Sequence, residues 1–165
     1  MALSCMKQIT VGVGEYFVTR DPETCLVTYA LGTCLGVTIY DPLARVGGML
    51  HFMLPTSAVN QERAKRQPAV FCDSGLPLLL LTASQLGAAR HRLVLKVAGG
   101  ASILHQGESF DIGTKNYRVL LQLLAQNHLT LAAEAVGGTR SRTLKMHIAT
   151  GTVILRTPGY PDQML

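Results

Sequence analysis

A chain of 165 residues, 48% hydrophobic and only 15% charged, can bury one substantial core unaided, and this composition excludes general disorder. Its net charge of +5 is split among separate groups (Arg63, Lys65 and Arg66; Arg90 and Arg92; Arg140, Arg142 and Lys145), and aromatic residues make up 5%. Nucleic-acid binding wants a continuous basic stripe or stacking rings and is therefore not expected; the charge reads as solvated surface, biased towards acidic partners or anionic membrane surfaces.

In chain order, Ile9 to Val13 and Tyr16 to Val18 predict an opening strand pair, punctuated by Gly12 and Gly14. Asp21-Pro22-Glu23 is a turn, and Cys25 to Tyr29 a strand in which Leu26, Thr28 and Ala30 share a face. An elbow, Gly32 to Gly36, leads into a strand over Val37 to Tyr40, and Gly48 to Leu54 forms the next. Pro55 ends it, because proline cannot donate to a ladder. Thr56 to Pro68 is polar and predicts an exposed loop or short helix. Asp73 and Ser74 are candidate N-caps for a helix with Pro77 in its first turn and Leu78 to Ala89 following. Leu93 to Ala98 is β-like. Asp111 to Gln126 is the clearest amphipathic helix, with Val119, Leu120, Leu123 and Leu124 on one side. Leu129 to Val136, Leu144 to Ile148 and Thr152 to Leu155 are strands. About two main helices among eight or so strands predict an α/β fold, a strand-rich sandwich with helices packed on sheet. Residues 1–165 form a single domain, without repeat, low-complexity tract or linker.

Cys5, Cys25, Cys34 and Cys72 contain no C-x-x-C, and the chain needs no disulfide framework, so reduced thiols are expected. His91, His105, His128 and His147 are scattered, with no partner at ligand spacing, and no metal is expected. Ser102 and Ser109 lack a G-x-S-x-G setting. Met1 to Thr10 lacks the apolar core of a signal peptide, and the richest apolar run, Leu76 to Leu81, is too short to span a bilayer. A cytoplasmic protein without membrane insertion is expected.

Two stretches carry chemistry. Leu31-Gly32-Thr33-Cys34-Leu35-Gly36 presents a cysteine between glycines, and Gly47-Gly48-Met49-Leu50-His51-Phe52 sets a histidine in an apolar run. A thiol is a strong nucleophile as thiolate, and a neighbouring imidazole can take its proton and is expected to lower its pKa. Glycines let backbone N–H groups turn towards a developing oxyanion. Alone, Cys34 reads as a small buried hydrophobe and His51 as a hydrogen-bonded core residue. Together, on neighbouring strands joined by the Asp41-Pro42 turn, they suggest a hydrolytic dyad. Thr28 could orient the imidazole, although ordinary β-propensity accounts for it equally well.

The sequence resembles the chemoreceptor glutamine deamidase family, CheD, over nearly its full length. The matching blocks are Leu31-Gly32-Thr33-Cys34, Tyr40-Asp41, Gly47-Gly48 with His51 and Met53-Leu54-Pro55, and Lys96-Val97-Ala98-Gly99-Gly100-Ala101. Ile112-Gly113 with Asn116, Gly137-Gly138 with Arg142, and Thr150-Gly151 complete them. The resemblance implies Cys34, His51 and Thr28 as a catalytic triad, with Thr33 standing where members often have serine. It implies an α/β sandwich related to bacterial toxin deamidases and hydrolysis of receptor glutamine side chains to glutamate with release of ammonia. Glutamate methyl esters, which share the acyl carbon, are a further expected substrate. The implied partners are methyl-accepting chemotaxis receptors, as substrate, and the phosphatase CheC; no cofactor is implied. Two other readings stand beside this one: a non-catalytic adaptor for CheC or receptors, and a cysteine amidase acting on another substrate.

Overall fold

The computed structural model describes residues 5–102 and 111–165; His105 and Ser109 lie outside them. The described strands divide between two five-stranded sheets. The first runs, edge to edge, β1 (Lys7–Thr10), β3 (Thr24–Leu31), β8 (Arg142–His147), β9 (Val153–Arg156) and β10 (Gln163–Met164). The second runs β2 (Glu15–Thr19), β5 (Val46–Phe52), β4 (Leu35–Asp41), β6 (Val94–Gly99) and β7 (Leu131–Val136). Among the described residues three α-helices accompany them: α1 (Gln61–Arg66), α2 (Cys72–Gln85) and α3 (Ile112–Gln126).

Strands β4 and β5 are buried at every position. A sheet covered on both faces demands this, and it is why these strands read as apolar runs rather than as alternation. On one face Val37, Ile39, Leu50 and Phe52 pack with Leu76 and Leu79 of α2 and with Leu120 and Leu124 of α3. Burying each such side chain stabilises the fold by about 2 kcal/mol. On the other face Tyr40, Met49 and Ala98 meet Leu26, Leu144, Met146 and Val153 around the first sheet. The layers are therefore sheet, sheet, helix. This is the α/β sandwich with two main helices packed on sheet that the sequence predicts.

Several local expectations change. The opening strands do not pair: β1 runs parallel to β3, with Gln8 opposite Cys25, whereas β2 runs antiparallel to β5, with Glu15 opposite His51. The chain crosses between sheets through Gly14, at φ +74°. Helix α2 begins at Cys72 after Phe71, with no side-chain cap. The Asp73 carboxylate accepts instead from the N–H and hydroxyl of Ser57, and the Ser74 hydroxyl donates to the Pro68 carbonyl. The helix stops at Gln85 and not Ala89, ahead of Gly87 at φ +103°. The four cysteines are not all free. Cys5 and Cys25 form a disulfide, Cα atoms 5.7 Å apart, because the β1–β3 pairing brings the chain's start beside β3.

Candidate active site

Strand alternation aims the site into the space between the sheets. In β5, His51 follows Met49 by two residues, so both side chains face the first sheet. In β3, Thr28 follows Leu26 and faces the second. The two side chains meet, with Thr28 Oγ1 2.7 Å from His51 Nδ1. Thr28 is fully buried, and His51 is 1% exposed.

The same hydroxyl lies 2.7 Å from the Val11 carbonyl oxygen. A carbonyl only accepts, and a hydroxyl carries one proton. Thr28 therefore donates to Val11 and must accept from His51, which puts the imidazole proton on Nδ1. Nε2 is left with its lone pair free, buried and without a hydrogen-bond partner among the described residues. Val11 is itself fixed, its N–H donating to the Val27 carbonyl at 2.8 Å. Nothing in the sequence singles out Val11, because its part is played by a main-chain atom.

Gly36 of β4 stands opposite His51. A Cβ there would come within 2.9 Å of Leu31 and 3.3 Å of Thr28, so the glycine makes room for the Thr28–His51 pair. Cys34 lies two residues before Gly36, on the same side of the sheet, half-buried and packed against the inter-sheet core. Its loop is held at both ends: Gly100 N–H donates to the Cys34 carbonyl and Ala101 N–H to the Gly32 carbonyl, each at 2.8 Å. Gly99, at φ +115°, has to be glycine, since a Cβ would overlap the Cys34 carbonyl oxygen. The approach to this loop is a bulge: the β3–β8 register shifts between Thr28 and Leu31, with Ala30 at φ +55°. A left-handed alanine costs on the order of 1 kcal/mol, and such strain concentrates at functional sites.

Asn116, fully buried on α3, ties the two halves together. Its Nδ2 donates to the Thr33 carbonyl, beside Cys34, and to the Met53 carbonyl, just past β5, both at 3.0 Å. Its Oδ1 is buried without a partner among the described residues. The sequence marks Asn116 only as part of a matching block. Its bridging is visible only in three dimensions.

The structure thus joins Thr28 to His51 directly and sets Cys34 on the adjoining strand end, with no hydrogen bond to the ring. Burial pushes the Cys34 thiol up, offset in part by its own backbone N–H. Burial pulls His51 down to about 4. The expectation that the imidazole would lower the thiol's pKa is therefore reversed. Desolvation disfavours both charged forms, and at neutral pH the pair rests as thiol and neutral imidazole. Cys72 is fully buried, and burial followed by the nearby Asp73 raises it further. No three His, Cys, Asp or Glu side chains are arranged to hold a metal among the described residues. None of the described helices is long and apolar enough to cross a membrane.

Comparison with known proteins gives this chain a family. The model described as CheD chemotactic sensory transduction matches residues 53–157. A probable chemoreceptor glutamine deamidase CheD of Solibacter usitatus is 44% identical over 160 residues, covering 97% of this chain and 95% of its own. The probable chemoreceptor glutamine deamidase CheD 2 of Anaeromyxobacter dehalogenans is 42% identical over 152 residues (92% and 96%). A probable chemoreceptor glutamine deamidase CheD of Pyrococcus horikoshii is 39% identical over 153 residues (92% and 93%). A solved DUF152 protein of Neisseria meningitidis is a distant likeness, 12% identical at TM-score 0.40 over 83% of this chain and 63% of its own. Thr28, Cys34 and His51 precede the family-model match but fall within the span of these relatives. With the model covering more than half the chain and relatives covering nearly all of it, this chain belongs to the CheD family.

Proposed function

We propose that the chain is a thiol-dependent protein-glutamine deamidase acting on chemotaxis receptors, with Cys34 as nucleophile, His51 as base and Thr28 as the residue that orients it. The observation that carries this reading is the proton count at Thr28: its one proton is committed to Val11, which leaves His51 Nε2 as a buried acceptor beside the cysteine loop. The names of the relatives that align over nearly all of this chain supply the substrate class.

In this mechanism His51 Nε2 takes the Cys34 proton as sulfur attacks the carboxamide carbon, so charge develops only as the bond forms. Backbone N–H groups of the cysteine loop stabilise the tetrahedral oxyanion. The imidazolium returns the proton to the departing nitrogen, ammonia leaves, and a thioester remains. His51 then draws a proton from water, the hydroxide equivalent attacks the thioester, and glutamate and the free thiol are released. A glutamate methyl ester offers the same acyl carbon and would be hydrolysed by the same steps. If CheC binds over this cleft, it competes with receptor for the Cys34→Ala protein.

The test is ammonia release from a receptor cytoplasmic fragment, with a gain of about one dalton at a glutamine as the nitrogen is replaced by oxygen. Because the residues act as a unit, Cys34→Ala, His51→Ala and the double variant should lose activity almost equally. Receptor binding without ammonia from any fragment would identify an adaptor instead. Losses that multiplied between the single variants would rule out the pair.

A further inference from the structure

An open concavity of about 400 Å³ lies between the ends of β7 and β8 and the chain after β9. Its wall carries two arginines, Arg140 and Arg142, with Tyr160 and Gln163, and no acidic side chain. Arg142 is half-buried, and its Nη1 donates to the Gly99 carbonyl at 3.2 Å. That same carbonyl accepts the Gly137 N–H at 3.0 Å, and Gly99 is packed directly under the Cys34 carbonyl. Arg140 lies over the Tyr160 ring, 5.1 Å from its centroid, and donates to the Pro158 carbonyl at 3.2 Å.

Neither arginine forms an ion pair among the described residues. The acidic residues that flank them along the chain are already engaged: Glu134 accepts from the Tyr117 hydroxyl, and Asp162 accepts from Nε and Nη2 of Arg156, at 3.0 and 2.9 Å. Burial also holds Arg142 below its ordinary pKa, as expected of a guanidinium partly stripped of water without a counter-charge. Keeping such a cation is unfavourable unless an anion meets it, and the planar fork of arginine suits a carboxylate. The carboxamide proposed as the reacting group is neutral and has no use for two positive charges.

We infer that the Arg140–Arg142 concavity is a specificity subsite that takes a carboxylate side chain from the polypeptide bearing the target glutamine, a few residues away from it. The inference rests on the deamidase reading for the identity of that polypeptide. Through Gly99, the guanidinium that meets this carboxylate is braced against the backbone of the nucleophile loop, so a substrate held there is positioned relative to Cys34.

The test uses full-length Cys34→Ala protein, which measures binding without turnover. Helical peptides of about fifteen residues, long enough to populate a helix, carry a single target glutamine. Each has either Glu or Ala three or four residues from it, a helical turn in either direction. By calorimetry, the Glu peptide should bind roughly tenfold tighter for at least one placement, as one charge-assisted hydrogen-bonded pair would give. Arg142→Gln should bring that ratio close to one, Arg142→Lys should keep part of it, and added salt should shrink it. A ratio near one at every placement, or one that survives Arg142→Gln, overturns the subsite. Tighter binding only when Glu replaces the target glutamine itself also overturns it, since that is product binding. Should Arg142→Gln fail to fold, the exposed Arg140→Gln decides: a reduced ratio supports the subsite, and an unchanged one overturns it. Wild-type protein that released no ammonia from these peptides would count against the deamidase reading alone, while the binding ratio would still decide the concavity.

Discussion

Thr28 has one proton and two short hydrogen bonds, and from that inequality follows the state of His51. A residue that fixes a tautomer acts through another group, so its removal should lower turnover without unfolding the chain. Thr28→Val keeps the shape and loses the acceptor; kcat should fall by roughly a hundredfold, the lower end of what a positioned base contributes. Thr28→Ser keeps the hydroxyl and should retain most of the activity in an ammonia assay, whereas equal activity of the two variants would show that the hydroxyl is unused. The resting state of Cys34 is open to a separate measurement. Cys5 and Cys25 are paired and Cys72 is buried, so iodoacetamide should mark Cys34 first. With the thiol raised by burial and no imidazolium beside it, the rate should climb with pH beyond the ordinary cysteine range of about 8.5. A rate already flat below neutral pH would mean a thiolate–imidazolium pair instead.

At the scale of elements, the sequence was most legible where structure is local. Helix α3 announces itself through leucines at helical spacing and through Asp111, whose carboxylate accepts from Thr114 N–H. The break at the glycine-bracketed cysteine and the apolar run around the histidine also foretold the start of β4 and the body of β5. Pairing across sheets was not legible: nothing in the run from Ile9 to Val18 says that β1 and β2 belong to opposite layers. Spacing alone could not prefer Thr28 to any other strand threonine, because its partners lie 23 residues ahead and 17 behind. Asn116 is the extreme case, a helix residue whose two acceptors are 83 and 63 residues away. Asn116→Leu removes both donors and leaves two carbonyls wanting. Stability should drop by about 2–4 kcal/mol, and the cysteine loop should lose its register with His51. Asn116→Asp has nearly the same outline and also lacks the donors. Both variants should lose kcat with little change in KM and show altered Cys34 alkylation rates. A loss of stability with kcat intact would reduce Asn116 to a structural role.

For the molecule as a whole, the buried groups that order the site also set its response to acid. His51 is held neutral down to about 4, against 6.5 in an unfolded chain. Between those values the unfolded chain binds more protons than the folded one, so stability rises with pH across this window and is lost as pH falls through it. The contribution is at most about 3 kcal/mol, from 1.36 kcal/mol per unit. His147, lowered by burial and then by Lys145, acts in the same direction, so the His51 share is the difference between wild type and His51→Gln. A second limb begins lower. Asp41 is fully buried where β4 ends, and burial alone would raise its pKa. The Arg92 guanidinium and the N–H groups of Ala89, Ala44 and Leu43 outweigh that and hold the carboxyl well below the usual range. Its stabilisation is present above the unfolded carboxyl value of about 4 and is lost as pH falls below it. Melting temperature followed from pH 7 downwards should therefore decline in two stages, the first smaller in His51→Gln and the second smaller in Asp41→Asn. Asp41→Asn should also cost about 3 kcal/mol at neutral pH, because Arg92 loses its buried counter-charge. A single decline, confined to pH below about 4 and identical in wild type and His51→Gln, would mean that His51 is solvated and charges freely in the folded chain. The neutral imidazole from which the proposed mechanism starts would then not be the resting state.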